Sequence, residues 1–279
     1  MNAIVERYDA DALDYARYWA PVLDATSRRL LDEVSPFVVS RPPTLRILDV
    51  GSGTGVLALG AAARWRRATV IASDAAAGML AVARRRALQA GLDSDERLSF
   101  VRGPADRLPL PDASVDLVLS SFVLQLVPDR LAALREGFRV LRPGGRLAYV
   151  TWLDRDAREP FRPMEEFDEA VLDLAIEEPE QPSELHAGDV PSARAAASQL
   201  RRAGFRNVTA REDMLTYDWT LESYLSYKMA YDERSLISIL SSEERRELEA
   251  NARRRLEQLA ATDFRWHAPI VFAAGERPA

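Results

Sequence analysis

Short apolar runs alternate with stretches of helical spacing between residues 45 and 152. Apolar runs of this length, bounded by turn residues, predict strands, and the longer periodic stretches predict helices. The predicted strands are 45–50, 68–73, 98–103, 115–120 and 146–152, and the predicted helices between them are 56–65, 75–90 and 128–140. Because strands and helices alternate, the pattern predicts an α/β fold with a mostly parallel sheet.

The segment before the first strand predicts two helices. Residues 7–20 are rich in aromatic side chains and predict one helix, and Pro21 opens a second, which Ser35 and Pro36 are expected to end. The aromatic side chains of the first helix are Tyr8, Tyr15, Tyr18 and Trp19. They either pack the two helices together or form a lid over a ligand, since aromatic faces suit a cation as well as a flat ring.

A glycine-rich turn follows the first predicted strand. It reads Asp-Val-Gly-Ser-Gly-Thr-Gly from Asp49 to Gly55. Glycine permits positive φ and lets a ligand approach where a Cβ would collide, and the helix that follows presents free amide groups. The turn therefore predicts a nucleotide-like ligand at the carboxyl end of the first strand. A dinucleotide motif would need its third glycine at position 56, where Val56 stands.

Side chains further along suit the other parts of a nucleoside. Asp74 ends the second predicted strand, 19 residues after Gly55, where a carboxylate can accept hydrogen bonds from both ribose hydroxyls. The alternative role for Asp74 is a helix N-cap. Met79 offers an apolar surface to a purine, or else belongs to the core. Asp106, next to Ala105, can accept a hydrogen bond from the adenine amino group.

Four motifs occur in order along this region. They are Leu48–Gly55, Asp74 with Gly78-Met79-Leu80, Ala105-Asp106 before Leu108-Pro109, and Val140–Gly145. Together they resemble the class I S-adenosylmethionine (SAM)-dependent methyltransferases, in the branch of the ubiquinone/menaquinone-biosynthesis C-methyltransferases. The resemblance implies a Rossmann-like, seven-stranded, mostly parallel sheet with an antiparallel last strand, and SAM as the cofactor. Strands 6 and 7 are then expected at 206–217 and 266–274.

The resemblance also assigns parts of SAM to residues of this chain. The methionine part is bracketed by Asp49 and the loop residues Gly51, Ser52, Gly53 and Gly55, the ribose is held by Asp74, and the adenine is held by Asp106. The other expected cofactor contacts are Met79, Ala105, Ser120, Ser121 and Tyr18. The expected acceptor contacts are Phe122, Gln125, Tyr8, Tyr15, Trp19 and Trp152.

No catalytic base is assigned. Gln125 stands where relatives often carry histidine, which puts a histidine-assisted mechanism at that place in doubt. Two histidines are present: His267 lies in the expected last strand, and His186 lies in the connection after the first insertion. A structural role is favoured for His267 and a surface-loop position for His186. Weaker candidates for a base are Tyr8, Tyr15, Glu165 and Glu166.

A single domain is expected over residues 1–279, with two helical insertions. Its parts are N-terminal helices at 1–40, the SAM-binding core at 41–152, a cap insertion at 153–190, and a C-terminal part at 191–279 with an insertion near 221–259. The first insertion is interpreted as a substrate cap. The second contains the charged run 243–247, and a solvated structural or dimerising helix is at least as good an interpretation.

Composition narrows the function further. The chain has no cysteine, which excludes disulfides, thiolate metal sites and cysteine nucleophiles, and no metal site is predicted. Its formal net charge of −6 disfavours nucleic acid as a partner. Because an apolar run of about 18 residues and a signal-peptide core are both missing, we expect a cytoplasmic protein without a membrane span. A monomer or a homodimer is expected.

These features favour an enzyme that moves a methyl group from SAM to an O, N or C atom of a small-molecule acceptor. The transfer is an in-line displacement, in which the protein aligns donor and acceptor and excludes water. The alternative is a non-catalytic protein that binds SAM or S-adenosylhomocysteine (SAH) as a regulator or partner subunit. A nicotinamide-dependent oxidoreductase is disfavoured by Val56.

Overall fold

Seven strands form one sheet in the computed structural model, which describes residues 3–41, 44–92, 96–154, 160–174 and 188–279. The strands are β1 (Arg46–Val50), β2 (Thr69–Asp74), β3 (Leu98–Arg102), β4 (Val115–Ser121), β5 (Leu141–Trp152), β6 (Arg206–Asp218) and β7 (Arg265–Glu276). Their spatial order is β3-β2-β1-β4-β5-β7-β6. β1 to β5 are parallel, whereas β7 is antiparallel to both β5 and β6. The predicted fold class is confirmed.

Helices cover both faces of the sheet. They are α1 (Ala3–Ala10), α2 (Ala12–Asp14), α3 (Ala20–Val39), α4 (Val56–Arg64), α5 (Ala77–Gln89), α6 (Arg130–Val140), α7 (Arg162–Leu172), α8 (Ala193–Arg202), α9 (Leu221–Tyr227), α10 (Arg234–Ile239) and α11 (Ser242–Leu256). Two π-helical turns, Tyr15–Trp19 and Lys228–Asp232, and a 3₁₀ turn, Ala261–Phe264, complete the set.

Alternate residues of β1 point to two separate cores. Ile47 is buried on the face covered by α3 and α4, together with Leu30 and Leu57. Leu48 is buried on the opposite face, together with Leu134 of α6. A strand buried on both sides is typical of a central parallel strand. The neighbours of β1 are β2 and β4, so the strand order reverses here, and crevices at such a point bind ligands.

The predicted end of the second helix at Ser35 and Pro36 is wrong. α3 continues through Pro36 to Val39, where the amide of Ser40 donates to the Pro36 carbonyl at 3.2 Å. Pro36 removes one helical hydrogen bond, but Val34 and Val38 on either side of it are both buried. Packing of this apolar face outweighs the missing bond.

Two other segments differ from the prediction. The first helix is divided into α1, α2 and the π-helical turn Tyr15–Trp19, and it begins at Ala3. Residues 141–145, which separate the predicted helix at 128–140 from the predicted strand at 146–152, lie inside β5, where Leu141 pairs with Val115 and Arg146 with Leu117. The extra residues form an irregularity in the strand, in which Gly144 has φ +75°.

The second insertion packs against the first. α11 contacts α7, and Arg255 of α11 donates to Asp173 at the end of α7 at 2.9 Å. Lys228 is buried, and its ammonium group lies 4.9 Å from the centre of the Phe167 ring of α7. Within the described ranges, no helix has the length and apolarity needed to cross a bilayer.

Candidate active site

The glycine loop after β1 depends on three positive φ angles, +67° at Gly51, +51° at Gly53 and +90° at Gly55. A Cβ on Gly51 would lie 2.3 Å from Cγ2 of Val123, whereas a Cβ on Gly53 would meet no atom within 4 Å. Gly51 therefore lets the loop pack against the segment after β4, and Gly53 leaves space above the loop. Gly55 is the N-cap of α4 and allows α4 to approach Ala83 of α5.

Asp49 lies under this loop. Its side chain is buried, and Oδ2 accepts a hydrogen bond from the Ala58 amide in the first turn of α4 at 3.0 Å. Burial raises the pKa of Asp49 to about 7, against the effect of the Ala58 hydrogen bond, and Asp74 raises it further. Asp49 thus holds the start of α4 and places a titratable carboxyl group at the site.

Asp74 joins the loop to the next helix. Oδ2 accepts from the Gly53 amide at 2.7 Å, and Oδ1 accepts from the Ala76 amide at 2.9 Å, directly before α5. Burial raises the pKa of Asp74, whereas hydrogen bonds from Ala76, Gly53 and Ala75 act in the opposite direction. The N-cap residue of α5 is Ala76, without a side-chain cap, so Asp74 lies two residues before the cap position. The ribose role of Asp74 stays a prediction.

A first cavity of about 290 Å³ opens between the glycine loop, α1 and the turns after β2, β3 and β4. The predicted site residues that line it are Gly51, Gly53, Asp74, Met79, Ala105, Asp106, Ser121, Phe122, Tyr8 and Tyr15. Asp49 and Ser52 line a smaller space of about 40 Å³ on the other side of Gly51 and Gly53. The carboxyl ends of four strands thus contribute to one site.

Helix α1 covers the first cavity. Ile4, Val5 and Tyr8 line it, and the Asp9 carboxylate accepts from the Gly78 amide in the first turn of α5. A Cβ on Gly78 would lie 2.3 Å from the Asp9 carbonyl oxygen, so glycine is needed for this close approach. The N-terminal segment occupies the position of a lid, and its rings also pack against one another, so both interpretations of these aromatic residues describe part of the structure.

A second cavity of about 190 Å³ adjoins the first and shares Tyr8, Tyr15, Phe122 and Leu126 with it. The other residues that line it are Trp19, Leu23, Gln125, Trp152, Gly188 and Asp189. All six predicted acceptor contacts therefore lie around this space. Gln125 is buried, and its Nε2 donates to the Phe122 carbonyl at 2.7 Å while its Oε1 accepts from Thr151 at 2.5 Å. Both ends of this amide are engaged within the protein.

Three predicted cofactor contacts do not line these cavities, namely Gly55, Ser120 and Tyr18. The Ser120 hydroxyl donates to the Val50 carbonyl at 3.0 Å and joins β4 to β1. Tyr15 and Trp19 are four residues apart and share the inner side of their turn, so Tyr18 is rotated away from it. The guanidinium of Arg17 lies 5.2 Å from the centre of the Tyr18 ring.

Of the candidate bases, Tyr8 and Tyr15 line both cavities, whereas Glu165, Glu166 and His267 line neither. His267 is exposed on β7, where Nδ1 lies 2.9 Å from the Thr216 hydroxyl, and His186 lies outside the described residues. Glu166 of α7 pairs with Arg255. Burial, with smaller contributions from neighbouring groups, raises the pKa of Tyr15 well above its usual value. Tyr15 is therefore a neutral phenol near pH 7.

Several lining residues were not predicted from the sequence. Ile4 and Val5 line the first cavity, and Gly188 and Asp189 line the second. The four-residue spacing of Ile4 and Tyr8 on a helix was the available signal for the lid. Asp189 follows the first insertion, where no local pattern indicates proximity to β4.

A glycine loop at the reversal point of a seven-stranded sheet with one antiparallel strand defines a Rossmann-like methyltransferase fold. Residues 48–149 match the family model described as a methyltransferase domain. This part of the chain is similar to class I SAM-dependent methyltransferase domains, among them those of ubiquinone/menaquinone C-methyltransferases. The resemblance seen in the sequence motifs is confirmed.

Curated relatives match the same region. The chain is 40% identical over 126 residues to the ubiquinone/menaquinone biosynthesis C-methyltransferase UbiE of Xanthomonas oryzae, covering 45% of this chain and 49% of the relative. It is 40% identical over 111 residues to a malonyl-[acyl-carrier protein] O-methyltransferase of Methylococcus capsulatus, covering 40% and 38%. The chain thus spans about half or less of the length of the curated relatives it matches.

Solved structures share the fold over nearly the whole chain. A phosphoethanolamine N-methyltransferase of Haemonchus contortus, solved with SAH, aligns with a TM-score of 0.57 over 97% of this chain and 58% of its own. Its sequence identity is 18%, so this likeness concerns the fold alone.

The residues at the site fit SAM. Among the described residues, the hydroxyls of Ser52 and Ser73 are buried without a hydrogen-bond partner, and both lie at the glycine loop or the strand end beside it. The side of Gly53 where a Cβ would lie is open. Asp74 and Asp106 place carboxylates around a cavity that also has the buried, apolar Met79. Carboxylates suit a ligand that carries hydroxyl and amino groups as well as a positive charge.

Proposed function

We propose that this protein is a SAM-dependent methyltransferase that acts on a small molecule. The observation that carries the proposal is that the two cavities adjoin and share four lining residues. A cofactor in the first cavity would therefore lie next to an acceptor in the second. The N-terminal segment lines both cavities through Tyr8 and Tyr15, and Gly188 and Asp189 line the second.

SAM supplies a methyl group on a positively charged sulfur, which is already activated for displacement. The protein then has to hold donor and acceptor in line and exclude water. Gly51 and Gly53 would border the methionine part, Asp74 the ribose, and Met79 with Asp106 the adenine. Tyr8, Phe122 and the other shared residues would exclude water from the place where the two cavities meet.

A non-catalytic SAM-binding protein is the second candidate. It needs only the first cavity, and the presence of a second, separately walled cavity favours catalysis. We also propose that the acceptor is not a nucleic acid, since the chain has a net charge of −6, and that the protein acts in the cytoplasm as a monomer or homodimer.

Calorimetric titration of the full chain with SAM, SAH and NAD tests the cofactor assignment. Micromolar binding of SAM and SAH without binding of NAD is expected. Asp74→Ala should weaken SAM binding by about 1–3 kcal/mol, because the partners of a buried carboxylate lose their acceptor. Asp112→Ala is the matched control, since the Asp112 side chain is 76% exposed in a pair with Arg139. Absence of SAM binding by the folded wild type would refute the proposal.

Methyl transfer itself is tested by incubating the protein with SAM carrying a labelled methyl group and a panel of small acceptors. Appearance of labelled product together with SAH supports catalysis. SAM binding with no turnover on any acceptor class would favour the non-catalytic candidate.

A further inference from the structure

Five of the ten residues that line the second cavity are aromatic, namely Tyr8, Tyr15, Trp19, Phe122 and Trp152. Their planes are inclined to one another: the angle is 74° between Tyr8 and Tyr15, 43° between Trp19 and Trp152, and 41° between Phe122 and Trp152. Inclined rings present several faces to one compact group. A flat aromatic ligand would instead stack on a ring parallel to it.

One ring of the cavity wall, that of Trp19, already has a nearly parallel stacking partner within the protein. Trp19 stacks on Tyr227 of the second insertion, with ring centres 5.4 Å apart and an angle of 20°. Tyr227 does not line the cavity. This contact fixes the Trp19 ring as part of the wall.

The charges around the second cavity disfavour an anionic ligand. Among the described residues that line it, Asp189 is acidic and none is basic. Arg130 lies behind the wall, where its guanidinium donates to the carbonyls of Leu124 and Gly188. Burial lowers the pKa of Arg130, while Tyr149 and Asp189 act in the opposite direction, so Arg130 balances part of the Asp189 charge. The π faces then remain as the main means of recognition.

We propose that the second cavity is the acceptor site for a small aliphatic tertiary amine, whose nitrogen is surrounded by the aromatic faces. This inference rests on the proposed function. In the transfer, the nitrogen lone pair forms the new N–C bond, while the S–C bond of the donor breaks and its electron pair stays on sulfur. The amine becomes a quaternary ammonium ion and the donor a neutral thioether. An amine that arrives protonated first releases its proton to water.

An amine acceptor of this kind agrees with the groups present. A tertiary amine loses no proton in the transfer step, so the site needs no general base. The polar side chains of the described lining are the phenols of Tyr8 and Tyr15, the amide of Gln125, which is already engaged, and the carboxyl group of Asp189. As positive charge passes from sulfur to nitrogen, aromatic faces around the nitrogen stabilise it more in the transition state than in the free amine.

A binding experiment with a charged ligand and its neutral isostere tests the inference without turnover. Choline carries a trimethylammonium group, and 3,3-dimethyl-1-butanol has the same shape with carbon in place of nitrogen. Each is titrated into the full chain saturated with SAH, with calorimetry and tryptophan fluorescence as readouts. Choline should bind at least tenfold more tightly than the isostere, and catechol serves as the flat, neutral aromatic comparison.

Variants then locate the binding site. Trp152→Leu and Trp19→Leu should each weaken choline binding fivefold or more and leave SAH binding within twofold. Asp189→Asn should have a smaller effect, because Arg130 balances part of its charge. Trp65→Phe is the control for the fluorescence signal and for choline binding, since Trp65 follows α4 and lines none of these cavities.

The outcomes separate this inference from the function it rests on. Equal binding of choline and its isostere, tighter binding of catechol, or no choline binding by the SAH-saturated wild type would each overturn the amine assignment while the methyltransferase proposal stands. Failure to bind SAH would remove both. The wild-type comparison between choline and its isostere remains decisive even if a tryptophan variant does not fold.

Discussion

The two adjoining cavities are built in different ways. The first is bordered on the sheet side by small residues, including Gly51, Gly53, Gly103 and Ala105, in turns at the carboxyl ends of parallel strands, and it also has larger side chains from α1 and the segment after β4. The second is bordered by large rings from α1, a π-helical turn, the segment after β4 and the end of β5. Backbone geometry therefore shapes the cofactor side, whereas side-chain packing shapes the acceptor side.

The contacts that hold the walls of the two cavities in place also differ. The glycine loop is attached to the sheet, since the Ser52 amide donates to the Ser73 carbonyl at 2.9 Å. The ring of Trp19 is supported by Tyr227, whose hydroxyl donates to Asp232 at 2.6 Å, and Asp232 also accepts from Lys228. A change in the second insertion can therefore alter the acceptor cavity and leave the cofactor cavity intact, which indicates how one fold can serve different acceptors.

The strongest test of the backbone account is Gly51→Ala. The alanine would have to keep the φ of +67° that Gly51 has, and its Cβ would lie 2.3 Å from Cγ2 of Val123. Strain of a left-handed residue costs roughly 1–2 kcal/mol, and overpacking adds roughly 1–3 kcal/mol. We therefore expect the free energy of unfolding to fall by about 2–5 kcal/mol and SAM binding to be lost. Chemical denaturation and calorimetry measure the two effects.

Gly53→Ala is the matched variant for this prediction. Its φ is +51°, but no atom lies within 4 Å of the new Cβ. It should lose only about 1–2 kcal/mol of stability from strain, while its methyl group enters the ligand space and abolishes SAM binding. Equal stability of the Gly51 variant and the wild type would show that the backbone does not shape this cavity as described.

Lys228→Met tests the support of the acceptor side. The ammonium group is buried and lies 2.7 Å from Asp232 and 2.6 Å from Glu233, and these carboxylates raise the pKa of Lys228 although burial lowers it. Breaking a fully buried pair costs about 3–5 kcal/mol, but the two acids are 36% and 29% exposed, so we expect about 1–3 kcal/mol.

The Lys228→Met variant is also tested for ligand binding in each of the two cavities. Lys228→Met should weaken ligand binding in the second cavity through Tyr227 and Trp19, while SAH binding stays within twofold. Arg253→Met, which removes a surface pair with Glu222, is the control and should leave Tm nearly unchanged. A parallel loss of SAH binding in the Lys228 variant would contradict the separation of the two sides.

The same contrast explains what could be predicted from the sequence. The loop, Asp74 and Asp106 are recognisable because each follows its own strand within a few residues, and parallel strands bring their ends together. The sheet was predictable because each strand is a local apolar run. The end of α3 was not, because burial of Val38 outweighs the local effect of Pro36.

The acceptor side depends on contacts between distant segments. Trp19 and Tyr227 are 208 residues apart in the sequence, and no periodic pattern relates them. Tyr18 was expected at the site together with Trp19, but the π-helical turn selects Tyr15 and Trp19 for the inner side. The aromatic character of the segment could be read from the sequence, whereas the direction of each ring required the structure.

The smallest expected effect concerns charge on the cofactor side. Because burial raises the pKa of Asp49 to about 7, the folded protein holds this proton more tightly than the unfolded chain, and its contribution to stability falls as pH rises from about 4 to about 7. The cationic sulfur of SAM favours the ionised form of Asp49, and the neutral sulfur of SAH does not.

The ratio of SAM to SAH affinity should therefore increase from pH 6 to pH 8, by roughly threefold to tenfold for one added charge pair near a partly solvated surface. The ratio cancels the amino and carboxyl groups that the two ligands share. Asp49→Asn should reduce the dependence of this ratio on pH, because it removes the carboxyl group whose pKa is about 7. Calorimetry at pH 6, 7 and 8 measures both proteins. If the SAM-to-SAH affinity ratio of Asp49→Asn changed with pH as much as that of the wild type, the titrating proton would belong to another group. The role of Asp49 would then be limited to its hydrogen bond with the Ala58 amide.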